Sequence, residues 1–272
     1  MNLSEKNVDP GQAKILAAEL KACRASAVLA SLNLGGNKIT GSKRDSSTDW
    51  KWQYDLDLSG FSALCQVLGK LNEVNLGDCH LGPASMPELA KVFRDASAAV
   101  LTSLAVGSNP IGDEAMVQLL HGLKDVSLAS LDISKTDCGV STASKLAELL
   151  SEETTFKAVL NSLTINNNAI GGPCAARLIA GAKTGVAVKK GVFAAVDGRW
   201  GEVVRDPDSG NDVILTWLDD GTMSSYTKAG KLKPVVGSRT DLVEDYSHIE
   251  QFGQAITQLS SLDISNCNSP PL

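Results

Sequence analysis

The sequence predicts an α/β solenoid: a column of short parallel strands backed by helices, about seven coils long, with a small all-β barrel looped out between the sixth and seventh. Three observations predict it. A six-position apolar-and-turn signature recurs, stretches of helical period follow it, and one long gap between copies holds short β-rich runs split by turn residues.

The signature is Leu-x-x-Leu-x-Leu-x-x-Asn/Cys-x-Leu-Gly. It reads Leu29, Leu32, Leu34, Asn37, Ile39, Gly41, then Leu71, Val74, Leu76, Cys79, Leu81, Gly82. It returns as Leu101, Leu104, Val106, Asn109, Ile111, Gly112, then as Leu128, Leu131, Ile133, Thr136, Cys138, Gly139. Leu160, Leu163, Ile165, Asn168, Ile170, Gly171 follow, and a last copy begins Leu259, Leu262, Ile264, Cys267. A first copy, cut into by the start, has Met1, Leu3 and Val8 in register. With the second apolar position as marker, the spacings are 31, 42, 30, 27, 32 and 99.

Leu-x-Leu has period 2, so each copy opens with a short strand that buries one face. The Asn or Cys turns the chain, and its side chain can satisfy backbone groups stacked along the turn column. Helical stripes follow: Ala13-Ile15-Leu16-Ala17-Leu20, Leu89-Ala90-Val92-Phe93, Met116-Leu119-Leu120-Leu123 and Ala143-Leu146-Leu149-Leu150. One strand and one helix cannot bury an apolar face alone, so neighbouring coils must stack.

These repeats resemble the ribonuclease-inhibitor class of leucine-rich repeats, also found in cytosolic immune receptors and in the activator of the Ran GTPase. The resemblance covers roughly residues 1–185 and 243–272. It implies an intracellular solenoid that binds other proteins. Neither end shows a polar cap: Met1 sits in a core-facing slot and Leu272 stops partway through a repeat. The expectation is a piece of a longer array, or ends that dock on something.

The spacing of 42 marks an insert near Ser42–Leu58, and the spacing of 99 a longer one near Gly185–Leu242. All four tryptophans lie in them, Trp50, Trp52, Trp200 and Trp217, with Tyr54 and Tyr226. The first reads Trp50-Lys51-Trp52-Gln53-Tyr54-Asp55-Leu56-Asp57-Leu58. Its alternation predicts a strand with one apolar face and with Asp55 and Asp57 on the wet side. It is either a flap packed over the solenoid flank or a partner-binding hot spot, since Trp and Tyr dominate such spots.

The second insert has β-rich runs at Val192–Val196, Trp200–Arg205, Asp212–Leu218 and Thr222–Thr227, separated by Asp197-Gly198, Asp206-Pro207-Asp208-Ser209-Gly210 and Asp219-Asp220-Gly221. The run Gly-Arg-Trp-Gly-Glu-Val, followed by Val-x-Leu-x-Trp-Leu-Asp-Asp-Gly-Thr, looks like Tudor, KOW and related small barrels of the Src-homology-3 kind. Tudor-type relatives read methylated side chains with an aromatic cage. Phe193, Trp200, Trp217 and Tyr226 are the candidate rings here, with Asp219 or Asp220 as an acidic wall. The alternative is that Trp200 and Trp217 fill a small barrel core. The insert is near neutral, which counts against an RNA-binding KOW role.

The expected organisation is six repeats over 1–186 with the strand-like insert at about 42–58, the barrel over 187–236, and a linker helix plus a last partial repeat over 237–272. The exposed strand columns are small and polar: Ser31, Glu73, Ser103, Ser130, Ser162, Ser261; Asn33, Asn75, Ala105, Asp132, Thr164, Asp263; and Gly35, Gly77, Gly107, Ser134, Asn166, Ser265. They lack the aromatic and arginine anchors of tight interfaces, so contacts are expected on the inserts and rims.

Net charge is −6 and the pI about 5.1, which argues against a general nucleic-acid or anionic-membrane binder. No run of 18 apolar residues is present, and MNLSEKNVDP lacks a signal-peptide architecture. Cys23, Cys65 and Cys174 fall in helix-like stretches, and Cys79, Cys138 and Cys267 at small buried repeat positions. Free buried thiols in a reducing compartment follow, hence an intracellular, cytoplasmic protein.

No phosphate loop or nucleophile elbow occurs, and His80, His121 and His248 are scattered, His80 as an exposed turn residue. Gly171-Gly172-Pro173-Cys174 reads as a turn opening a helix. The function expected is a non-enzymatic protein-interaction scaffold, a subunit of a larger assembly, with no cofactor, metal or small-molecule substrate. Two alternatives stand beside it: a GTPase activator of the Ran-activator type, with Arg24 or Arg44 as its arginine, and a methylated-peptide reader through the barrel.

Overall fold

A computed structural model describes residues 1–22, 29–45, 51–95, 100–151, 154–171, 176–178, 183–184, 186–196, 199–217, 223–224, 226–236, 242–244 and 247–267. The chain forms two compact units, Met1–Gly171 with Ile249–Leu272, and Gly172–His248.

In the first unit the strands Ser31–Asn33, Glu73–Asn75, Ser103–Ala105, Ser130–Asp132, Ser162–Thr164 and Ser261–Asp263 form one parallel six-stranded sheet, hydrogen-bonded in that order. Leu32, Val74, Leu104, Leu131, Leu163 and Leu262 sit side by side in the ladder, the register set by the sequence markers. Asn2 bridges Asn33 in parallel, which places Met1 beside Leu32. At the fourth place after each marker the backbone turns left-handed: Glu5, Gly36, Asp78, Ser108, Lys135, Asn167 and Asn266 all have positive φ. The turn therefore repeats although its residue type does not.

Helices α1 (Pro10–Ala22), α2 (Ser59–Leu68), α3 (Ser85–Asp95), α4 (Asp113–Gly122), α5 (Val140–Ser151), α6 (Thr155–Val159) and α7 (Ser247–Ala255) provide the backing. One continuous apolar core joins strand and helix residues from Val8 to Cys267. The stripes bury as expected with one exception. Ala13 and Ala17 are buried but Ile15 is 65% exposed, because it lies off the i, i+3, i+4 face of α1. Gly60 is required where α2 meets α1: a Cβ there would lie 2.1 Å from the Pro10 carbonyl oxygen.

The turn column closes the coils polar group by polar group. Asn109 is fully buried; its Nδ2 donates to Leu76 O (2.9 Å) in the preceding coil and Val106 O (2.7 Å) in its own, and its Oδ1 accepts from Leu81 N (2.9 Å). Asn37 and Asn168 do likewise. Where Cys replaces Asn, the thiols of Cys79 and Cys267 donate back one coil, to Leu34 O and Ile165 O, each at 3.1 Å. Cys65, Cys79, Cys138 and Cys267 are free and buried; Cys23 and Cys174 lie outside the described residues.

The second unit holds a five-stranded antiparallel sheet in the order Leu215–Trp217, Arg199–Val203, Phe193–Val196, Lys233–Val236, Lys183–Thr184. Its core is Val192, Ala194, Val203, Val213, Leu215, Ala229 and Leu232, with Trp217 packed against it. Two departures from the sequence reading occur. The run Asp212–Leu218 breaks at Ile214, so that Asp212–Val213 pairs with Thr227–Lys228 while Leu215–Trp217 joins the larger sheet. The unit is also wider than 187–236. Ala176–Leu178, where the turn at Gly171 was expected to open a helix, pairs as a strand with Leu242–Glu244. Before the last strand, α7 is continued by a 3-10 turn at Ile256–Gln258.

Candidate protein-binding surface

The first insert is a hairpin clamped to the solenoid. Lys43–Arg44 pairs antiparallel with Trp52–Gln53, Arg44 opposite Trp52. The expected long strand stops after two residues because Asp55 adopts φ 56° and breaks the alternation. Leu56 is consequently half exposed rather than facing a core.

Asp55 is not on a wet strand face. Its carboxylate accepts from Gly82 N and Ser85 N, both at 3.0 Å, and so caps α3 of the next coil. Asp113, at the start of α4, does the same for α5, accepting from Gly139 N, Ser141 N, Thr142 N and the Thr142 hydroxyl. Buried Ser42 ties the hairpin down further: its hydroxyl donates to His80 O (2.8 Å) and accepts from Asp55 N (3.1 Å). Gly82 has no room for a side chain, since a Cβ would lie 2.7 Å from Tyr54 Cβ.

The clamp assembles an aromatic cluster. The Trp52 ring stacks on His80 with centroids 4.0 Å apart and planes at 24°. Tyr54 lies parallel at 6.1 Å. Lys38 Nζ is 5.6 Å and Arg44 Cζ 5.4 Å from the Trp52 ring, within cation–π range. His80 is half-buried, not the exposed turn residue expected, because Trp52 folds onto it. That burial, with help from Lys38 and Arg44 and against Asp78, holds its pKa below the usual value. Burial and the Asp137 carboxylate push the Tyr54 phenol up, against Arg44. Sequence reading missed His80, Lys38 and Arg44 as members of this cluster. The available signal was the turn register, which puts Lys38 and His80 at the same place in successive coils. Trp50 lies outside the described residues, as does Arg24; Arg44 stands on the hairpin over Trp52.

In the second unit the candidate residues are placed differently. Trp217 packs on the sheet core and over Gly201, where a Cβ would come 3.1 Å from its ring. Phe193 is buried and pairs with Glu202, while Trp217 pairs with Gly201, so the two rings stand on opposite faces of the ladder. Tyr226 is 63% exposed, with Arg205 Cζ 5.0 Å from its ring and Arg205 also 3.7 Å from the Asp208 carboxylate. Trp200 pairs with Ala195 in the ladder, and its side chain lies outside the described residues, as do Asp219 and Asp220.

Comparison with known proteins agrees with the coil geometry. Residues 98–120, which carry the strand Ser103–Ala105 and most of α4, match the family described as Leucine Rich repeat. Ribonuclease inhibitor from Mus musculus is 26% identical over 166 residues, 48% of this chain and 35% of that protein. The chain thus spans about a third of the length of the relative it matches.

The fold is of the leucine-rich-repeat type.

On its parallel sheet, four side chains of the leucine-rich-repeat strands turn back to their own backbone. Asn33, Asn75, Asp132 and Asp263 accept from the amides of Gly35, Gly77, Ser134 and Ser265, two residues on, at 2.8–3.0 Å. Hydrogen bonds from Ser265 and Asn166 hold the Asp263 carboxyl below its usual range. Among the described residues no three His, Cys, Asp or Glu side chains gather as metal ligands would, and no helix is long and apolar enough to cross a membrane.

Proposed function

We propose that this protein is a non-enzymatic interaction scaffold, a subunit of a larger assembly in the cytoplasm, that grips partner proteins through its inserts and solenoid rims. The observation that carries the reading is the Trp52 cluster. A tryptophan held by His80, with Tyr54 beside it and two cations over it, has the composition of an interface anchor. Asn33, Asn75 and Asp132 on the strands, by contrast, accept from their own backbone two residues on. Buried free thiols suit a reducing compartment. In this reading seven coils form the solenoid and the second unit is a small barrel looped out between the sixth and seventh, for which the short-stranded antiparallel sheet is the support.

Cross-linking mass spectrometry on native extract tests it. Lys43 and Lys51 sit on the hairpin, Lys91 and Lys145 on α3 and α5. Cross-links from the hairpin lysines to other proteins are expected; cross-links confined to the helix lysines contradict the reading.

A further inference from the structure

We infer that the Trp52 hairpin docks an acidic peptide segment of a partner protein. This rests on the hairpin being a protein-binding surface and adds the chemistry of what it binds. Between Lys38 and Tyr54 the sequence has four basic residues, Lys38, Lys43, Arg44 and Lys51, against two acidic ones, in a chain whose net charge is −6. Over the insert itself, 42–58, three basic residues stand against four acidic ones, so what a ligand meets is the placement of Lys38 and Arg44 over Trp52 rather than a net charge of the insert.

Geometry keeps those cations available. Lys38, Lys43, Arg44 and Lys51 are all exposed. Among the described residues no carboxylate lies within ion-pair distance of Lys38, Lys43 or Arg44. The hairpin's own acids are turned to other work: Asp45 accepts from the Gln53 amide at 2.9 Å, and both oxygens of Asp55 cap α3. Lys38 and Arg44 instead stand over the Trp52 ring, whose π-face positions a cation without neutralising it. An extended acidic segment finds an aromatic floor for its stems and unpaired cations for its carboxylates. Two cations gathered over one ring, Lys38 and Arg44, suit the spaced charges of a peptide, whereas a nucleic acid needs a longer basic track.

A phage library of random short peptides panned on the full chain is the test. Enrichment of Asp and Glu is expected. A selected peptide, labelled with fluorescein, should lose affinity by about tenfold or more in the K38E/R44E double variant and fall steadily with salt, while Asn75→Ala leaves it unchanged. Circular dichroism checks that each variant is folded. Peptides without acidic enrichment that still need Trp52 overturn the acidic assignment and leave the hairpin as a binding surface. Peptides indifferent to both Trp52→Ala and charge reversal, or a library that enriches nothing, overturn both. A single-stranded oligonucleotide that displaces the peptide and binds more tightly in a Trp52-dependent way also overturns it.

Discussion

Trp52 lies face to face with His80, a residue one coil further along the solenoid, at a centroid separation of 4.0 Å. The contact joins an insert that the repeat pattern has no place for to a turn that the pattern requires. It accounts for the direction in which His80 titrates. Burial comes first, the Lys38 and Arg44 cations add to it, and Asp78 opposes them. In the folded protein His80 thus binds its proton less readily than in the unfolded chain. Its contribution to stability is complete above the ordinary histidine value of about 6.5 and is lost as pH falls through the lower folded value. NMR titration should place the His80 midpoint below the ordinary value in the wild type, and nearer to it in Trp52→Ala. Equal midpoints in the two proteins would show that the stack does not bury His80.

Asp55 holds the hairpin to α3. Replacing it with Ala removes the acceptor for Gly82 N and Ser85 N and should cost about 1–2 kcal/mol, the range for a lost helix cap. Urea unfolding of Asp55→Ala measures this. The near-ultraviolet signal of the Trp52–His80 pair should weaken at the same time, since the strand end that carries the cap also carries Tyr54.

Asp113 should confer acid sensitivity. Burial alone would raise its pKa, but hydrogen bonds from Thr142, Gly139 and Ser141 together outweigh burial and hold it below the usual carboxylate range. A lowered folded value means stabilisation that is full above the unfolded value near 4 and is lost as pH falls through the folded one. Asp113→Asn should flatten the acid limb of the stability curve measured by thermal unfolding; an unchanged limb would remove Asp113 from the cause.

The asparagine ladder predicts a larger loss. Asn109→Ala strands the buried carbonyls of Leu76 and Val106 and the amide of Leu81, at a cost of about 2–3 kcal/mol. Asn109→Cys should recover part of it, because Cys79 and Cys267 make the backward bond with a thiol. Denaturant midpoints for the pair check the order.

The parallel column was legible in the sequence because Leu-x-Leu leaves one face apolar and the marker spacing sets the register; every ladder pair follows it. That the first insert carries stacked rings was legible in Trp52 and Tyr54. Its geometry was not, since the alternation through Asp55 and Asp57 carries no trace of the left-handed turn at Asp55 that aims its carboxylate at α3. His80 read as exposed because the residue that covers it is far away in the chain. In the second unit, Lys183–Thr184 and Lys233–Val236 escaped notice for a different reason. Two to four residues rich in lysine, one of them followed by Pro234, carry too little pattern, and proline argues against a strand it cannot donate to.

The most direct test of the account is an affinity purification of this chain from native extract, quantified for Trp52→Ala and Tyr54→Ala against Asn75→Ala and Thr164→Ala, all verified as folded. Loss of the specifically co-purifying proteins in the two hairpin variants, with retention in the two strand variants, is the result expected. Retention in the hairpin variants and loss in the strand variants would contradict it and move the binding surface to the parallel sheet.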